Sequence, residues 1–268
     1  MRVYLNGKTR ECNKNSDILE PGLLFGWGVF ETLRIYRDKP AFLPEHIKRL
    51  RKGCKKVLLQ IPKVDFKKKI QILLKENRFK NAHCRITIFK KRAGAGVLIT
   101  VAPFNQYKNS DYRKGFKVLV SPFIKNSQDF LVGVKTTSYL ENILARSIAE
   151  KRGRQEALFL NESGFLAEGS RSNLFFVKGN TVYTPSVECG ILNGITRQKV
   201  IKIIKKQKLR LKVGRFRLKD LLSCDEAFLT SSLMEIMPLV EVYGMPISNK
   251  RTGSVTDNLH KAYKELVN

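Results

Sequence analysis

Glu168-Gly-Ser-Arg-Ser-Asn173-Leu-Phe-Phe-Val177, followed by Thr181-Val-Tyr-Thr184 and Leu192-Asn-Gly-Ile-Thr196-Arg197, is the stretch that decides how this chain folds. Asn173–Val177 and Thr181–Thr184 are apolar runs of strand length, and Lys178-Gly-Asn180 between them has the composition of a hairpin turn. A helix follows over Thr196–Lys206, with Val200, Ile203 and Ile204 on one face. A polar, glycine-bearing loop therefore feeds a strand, and a second glycine, Gly194, stands where a helix begins. Backbone N–H groups at such a helix start are a ready place for an anion.

Outward from this stretch the pattern continues in both directions. Upstream, Glu156–Leu160 and Phe116–Phe123 read as strands. Leu140, Ile143, Leu144 and Ile148 form one face of a helix closed by Gly153, and the short apolar run Leu131–Val134 ends at Lys135. Downstream come strands Ala227–Thr230 and Leu239–Val242 and a last helix through Val255, Leu259 and Leu266. Toward the N-terminus, Val3–Leu5 and Gly28–Tyr36 are strands. Ile47, Leu50, Cys54, Val57, Leu58 and Ile61 recur at helical steps from Pro44 until Pro62 stops them. Phe66, Ile70, Leu73 and Leu74 mark a second helix, and Cys84–Phe89 and Gly96–Ala102 are two further strands. Residues 105–115 are polar and turn-rich. The expected organisation is a small N-terminal α/β domain (1–104), a linker (105–115) and a larger C-terminal domain (116–268), of mixed α+β / α/β class.

Composition narrows the function classes. With 268 residues and 43% hydrophobic content the chain has material for a proper core, which excludes a disordered or collagen-like protein. No apolar run reaches bilayer-spanning length and the N-terminus lacks an apolar signal segment, so a cytoplasmic location is expected. Five cysteines and three histidines stand apart without zinc spacing; the reading is reduced thiols and no metal. Lys and Arg number 51 against 23 Asp and Glu, a net +28. Such a field attracts polyanions. The cations, however, are spread over many segments and interleaved with apolar residues, as on solvated faces of ordinary elements. A basic nucleic-acid-binding protein without chemistry stays as the remote alternative.

The succession from Glu168 to Arg197 resembles the signature of the class IV aminotransferases, the fold type IV pyridoxal-phosphate enzymes related to D-amino acid aminotransferase. Two flanking pieces are similar to the same family: Phe25-Gly-Trp-Gly-Val-Phe-Glu-Thr-Leu-Arg34 with His46-Ile-Lys-Arg49, and Thr230-Ser-Ser-Leu-Met-Glu-Ile-Met-Pro238. The resemblance implies pyridoxal 5'-phosphate as cofactor and Lys135 as the amine that forms a Schiff base with its aldehyde. A desolvated lysine suits that task because burial disfavours the ammonium form. It also implies Glu168 beside the pyridine nitrogen, Leu192 against the ring, and a phosphate cradle of Arg49, Ile195, Thr196, Ser231 and Ser232. Phe30, Thr32, Arg92 and Leu233 match the substrate side.

Branched-chain aminotransferases, D-amino acid aminotransferases and aminodeoxychorismate lyases all belong to this family. The leading expectation is an aminotransferase moving an amino group between an amino acid and a 2-keto acid. The lyase, which eliminates pyruvate to give 4-aminobenzoate, is the alternative: Thr32 and the Leu233–Pro238 turn lean toward it, while the Lys90–Gly96 turn departs from its usual pattern. The resemblance further implies a homodimer with the site between the two domains.

Overall fold

Strict alternation makes the first sheet. In the computed structural model, which describes residues 2–5, 7–11, 20–247 and 253–267, a hairpin of β1 (Arg2–Leu5) and β2 (Lys8–Glu11) and a one-turn helix α1 (Pro21–Leu24) precede β3 (Gly28–Tyr36). Cys12, one of the five expected thiols, lies outside the described residues. Antiparallel order in this sheet is β4 (Lys39–Pro40), β3, β5 (Ala82–Lys90), β6 (Ala95–Pro103). Period-2 side chains give β3 and β5 two different faces. Val29, Leu33 and Ile35 with Cys84, Ile86 and Ile88 pack under α2 (Leu43–Lys56) and α3 (Phe66–Glu76), whose Leu50, Cys54, Ile70 and Leu74 complete that core. The other face carries Phe30, Thr32, His83, Arg85 and Thr87, and it looks toward the second half of the chain.

Residues 105–115, expected as a plain linker, contain a short helix, α4 (Asn109–Lys114), and Tyr112 Oη donates to the Met234 carbonyl of the next domain at 3.3 Å. The second half is built on β7 (Phe116–Lys125), α5 (Leu140–Lys151), β8 (Glu156–Asn161), β9 (Leu166–Gly169), β10 (Asn173–Lys178) and β11 (Thr181–Pro185). There follow α6 (Ile195–Lys206), β12 (Arg210–Gly214), α7 (Leu218–Leu222), β13 (Glu226–Ser231), β14 (Glu235–Val242), β15 (Met245–Pro246) and α8 (Ser254–Val267). Strands β10, β13, β14, β7, β8 and β9 pair in that order, and β9 returns to β10 through Asn173 opposite Glu168. The result is a closed six-stranded ring with β11 and β12 as a flange. Leu158, Leu166, Leu174, Phe176, Leu229 and Met237 fill its inside. On the outside, Phe175, Phe228 and Ile236 pack against α6 and α8, and Leu119, Ala157 and Phe159 against α5.

Two local readings need correction. Helix α5 turns Ala145 and Ala149 to the sheet, leaving Leu140, Ile143 and Leu144 exposed: small residues permit close helix–sheet packing, and the larger stripe faces out. Strand β14 begins at Glu235, four residues before the expected start. Pro238 is tolerated there because it pairs with Phe228 on one side, while the ladder to β7 begins only at Leu239. Lys135 follows a turn at residues 131–133.

Candidate active site

A cleft of about 580 Å³ separates the polar face of the small sheet from the rim of the ring. Closure of the ring places Glu168 there. Its Oε2 accepts from the Leu192 N–H at 2.9 Å and from Asn173 Nδ2 at 3.3 Å, while Lys125 Nζ lies 3.7 Å from Oε1. Burial raises this carboxyl above its ordinary value, against the pull of Lys125, the Leu192 N–H and Lys135. Asn173 Nδ2 also donates to the Leu192 carbonyl at 2.8 Å, so one amide fixes the loop that enters α6. Gly194 has to be glycine: an added Cβ would sit 2.2 Å from Asn173 Oδ1.

Lys135 stands on the opposite wall. Its carbonyl accepts from the Phe30 N–H at 2.8 Å, Thr136 bridges to Val29, and the Thr137 N–H donates to Gly28 at 2.9 Å. The loop is thereby stitched to the start of β3, and this, not a strand, is what fixes the lysine. Its Nζ lies 4.4 Å from the Phe30 ring centre and 5.0 Å from that of Tyr139. Burial, then the Arg49 and Arg85 guanidiniums, pull its amine from 10.5 down to about 8, against the carboxylates of Glu31 and Glu168. At pH 7 such an amine is about one-tenth unprotonated, against roughly one part in 3,000 for an ordinary lysine.

The third corner is the start of α6. No side chain caps it at Gly194, and the buried hydroxyls of Thr196 and Thr230 have no hydrogen-bond partner among the described residues. Arg49, Leu192, Ile195, Ser231, Ser232 and Leu233 line the same end of the cleft. Arg49 forms a two-pronged ion pair with Glu31, 2.7 Å on each prong, and donates to the Asn193 carbonyl at 3.2 Å. The 231–234 turn is held from below. Glu235 accepts from Arg34 and Tyr36 at 2.7 Å each and pairs with His260 Nε2 at 2.7 Å, which ties the small sheet, the ring and α8 to one carboxylate.

The structure thus gathers Lys135, Glu168, Arg49, Leu192, Ile195, Thr196, Ser231, Ser232, Phe30, Thr32 and Leu233 around one cleft. Arg92 is not among them. It is exposed on the β5–β6 turn, where its N–H donates to Glu20 at 2.6 Å. The cation on that wall is Arg85, stacked 3.7 Å over Phe30 and within 4 Å of no carboxylate among the described residues. Sequence reasoning also passed over Lys125, Tyr139, whose hydroxyl donates to the Ser170 carbonyl at 2.6 Å, and the fully buried Glu156, which accepts from the Ser170 N–H and the hydroxyls of Ser170 and Ser172. The signal available for Arg85 was its place beside Thr32 across the β3–β5 ladder.

Comparison with known proteins agrees with this geometry. The family model described as amino-transferase class IV matches residues 28–242. The chain is 34% identical over 279 residues to an aminodeoxychorismate lyase of Bacillus subtilis, covering 99% of this chain and 94% of that one. It is 31% identical to a branched-chain-amino-acid aminotransferase of Pseudomonas aeruginosa, covering 93% and 87%. Among solved structures, the branched-chain aminotransferase of the thermophilic archaeon Thermoproteus uzoniensis with norvaline superposes with a TM-score of 0.85 at 29% identity, covering 100% of this chain and 94% of that one. The cleft, the residues around it and these likenesses together place the chain in the class IV aminotransferase family.

Proposed function

We propose that this chain is a pyridoxal 5'-phosphate-dependent aminotransferase that moves an amino group between an amino acid and a 2-keto acid. The observation that carries the reading is the pairing, across one cleft, of an amine depressed to about 8 with a buried carboxylate. The residues present fit the cofactor. Two unpartnered buried hydroxyls, an uncapped helix start and Arg49 suit its phosphate, and Glu168 suits a protonated ring nitrogen. When bound, the cofactor supplies an aldehyde for amine capture and an electron sink for the carbon that loses its proton.

The chain's own groups do the rest. Lys135 offers the free amine and then moves a proton at Nζ. Glu168 keeps negative charge at the far side of the ring site, with Lys125 and the Leu192 N–H holding it in place. Leu192 and Phe30 exclude water. Arg85, having no carboxylate partner among the described residues, binds an anionic group of the substrate. Arg85→Leu is expected to raise KM for the amino donor by about tenfold to a hundredfold, with kcat changed far less; steady-state kinetics checks it.

A homodimer is part of the reading. Leu140, Ile143 and Leu144 on α5 lie exposed, as do Leu23, Leu24 and Phe25, and the segments leading to them meet where Ser138 Oγ donates to the Gly26 carbonyl at 3.2 Å. An apolar patch of this kind at a cleft mouth is what a second copy covers.

The lyase is the second reading, favoured by Thr32 beside Arg85 in the cleft and by the identity to the B. subtilis enzyme. One experiment separates the two. The protein loaded with pyridoxal phosphate is mixed with single amino donors, or with aminodeoxychorismate, in the absence of keto acid. The aminotransferase converts its visible absorption once, to the pyridoxamine form, and stops. Steady release of pyruvate over many turnovers with the absorption retained would replace this reading by the lyase.

A further inference from the structure

His46, on α2, is a buried ring at the phosphate end of the cleft, only 1% exposed. Its Nδ1 lies 2.7 Å from Glu31 Oε2, and its Nε2 lies 3.4 Å from Ser232 Oγ. It is the middle of a chain that runs from a buried carboxylate to a hydroxyl lining the cleft.

Polarity along this chain is fixed at one end. Burial pushes the Glu31 carboxyl up, but its bonds and charge contacts with Arg49 and His46 win and hold it at about 2, so it is an anion at any working pH. An anionic carboxylate only accepts, hence His46 Nδ1 carries a hydrogen. A neutral His46 then presents a lone pair at Nε2, and Ser232 donates its only hydroxyl hydrogen inward. The hydroxyl oxygen left facing the cleft has lone pairs alone, the wrong polarity for an anion. A proton on Nε2 reverses the bond: His46 donates to Ser232 Oγ, and the hydroxyl hydrogen is free to point into the cleft.

Charge bookkeeping points the same way. Around His46 stand Glu31 from β3, Glu45 and Arg49 from its own helix and the uncharged Ser232 from the 231–234 turn; Lys199 from α6 is paired with Glu45, and the Lys135 amine is coupled to Glu31 and Arg49. Arg49 is paired with Glu31 through Nε and Nη2, and Lys199 is hydrogen-bonded to Glu45. Before any ligand arrives the charges of Glu31, Glu45, Arg49 and Lys199 cancel, and the Lys135 amine stands outside these two pairs.

We propose that His46 is a positioning residue that takes up a proton when a phosphate binds at this end of the cleft, turning Ser232 from an acceptor into a donor. The proposal rests on the cofactor reading above. It makes phosphate affinity fall as pH rises, whereas the ionisation of the phosphate itself acts in the opposite sense.

Isothermal titration of the apoprotein with pyridoxamine 5'-phosphate, which forms no bond with Lys135, tests it in buffers of different ionisation enthalpy. Wild type is expected to take up more protons on binding than His46→Gln or Ser232→Ala. Its affinity relative to His46→Gln is expected to fall by about tenfold from the acid to the alkaline end of the pH series. The glutamine of His46→Gln keeps a fixed N–H toward Ser232, so the affinity of this variant stays close to wild type at the acid end, while His46→Ala loses it. Ser232→Ala removes one cleft-facing hydroxyl and leaves the rest of the fold untouched, so it reports even if the His46 variants fold poorly. Equal proton uptake in wild type and Ser232→Ala, with tight binding in both, would overturn the proposal and leave the cofactor reading intact. Absence of binding to wild type would overturn both.

Discussion

Lys135→Ala is expected to fold normally and to lose turnover by at least about 10⁴-fold, with the visible absorption of the loaded protein lost at the same time. The backbone bond from Phe30 to residue 135 survives the change, as do the Thr136 and Thr137 contacts. The variant removes only a desolvated amine, so below pH 8 its Tm equals or exceeds that of wild type. The sign follows from the depressed amine. The folded state disfavours the charged form, the penalty is fully present below about 8, and it vanishes as pH passes the unfolded value of 10.5. Wild-type capture of pyridoxal phosphate is expected to speed up about tenfold per pH unit below 8 and to level off above it. Stopped-flow absorbance at constant ionic strength measures this. A flat rate from pH 6 to pH 9 would mean that the amine is not the titrating group.

Glu168→Gln comes second, with an expected fall in kcat of about 10²- to 10³-fold and little change in KM for the amino donor. Gln retains an oxygen for the Leu192 N–H, so the loop into α6 keeps its position and phosphate binding persists. What is lost is the negative charge. Because burial raises the Glu168 carboxyl above its ordinary value even with Lys125 beside it, the folded state disfavours this charge, and the neutral glutamine is expected to be no less stable than wild type at neutral pH. The double variant Glu168→Gln with Lys125→Met should stay folded without recovering kcat. Recovery of kcat would mean that Glu168 serves only to neutralise Lys125. Thermal melts and single-turnover kinetics on wild type, the two single variants and the double variant decide between these outcomes.

What the chain shows without coordinates is unevenly divided. Lys135, Glu168 and Thr196 enter through the resemblance of the surrounding succession to the family signature; periodicity supplies only their settings, the end of an apolar run, a polar loop before a strand and the first turn of a helix. Arg85 and His46 sit inside regular elements. Arg85 occupies the polar face of a strand whose other face is Cys84, Ile86 and Ile88. In sequence such a face is indistinguishable from one turned to water, and only the second half of the chain lying over it makes it a cleft wall. His46 lies on the inward face of α2 among Leu50 and Cys54, where a lone histidine passes for a core residue. The α5 stripe failed for a related reason. Periodicity reports that Leu140, Ile143 and Leu144 share a face, not which neighbour the face meets, and the smaller Ala145 and Ala149 took the sheet side. Strand β9 was missed because its four residues carry too little pattern, yet its last pairing closes the ring at Glu168.

The ring has a consequence for the surplus of lysine and arginine. Closing six strands on themselves satisfies their backbone groups internally and moves the large sheet's exposed margin to β12, which pairs only with β11 among the described residues. A free strand margin is where like chains add to one another and grow into fibrils. Here Arg210 and Lys212 stand exposed on the strand itself, with Lys208 and Arg215 at its two ends. Two molecules approaching margin to margin bring these cations together before any backbone bond forms. At this border a part of the +28 charge acts as a guard against self-templated polymerisation, a duty independent of any ligand.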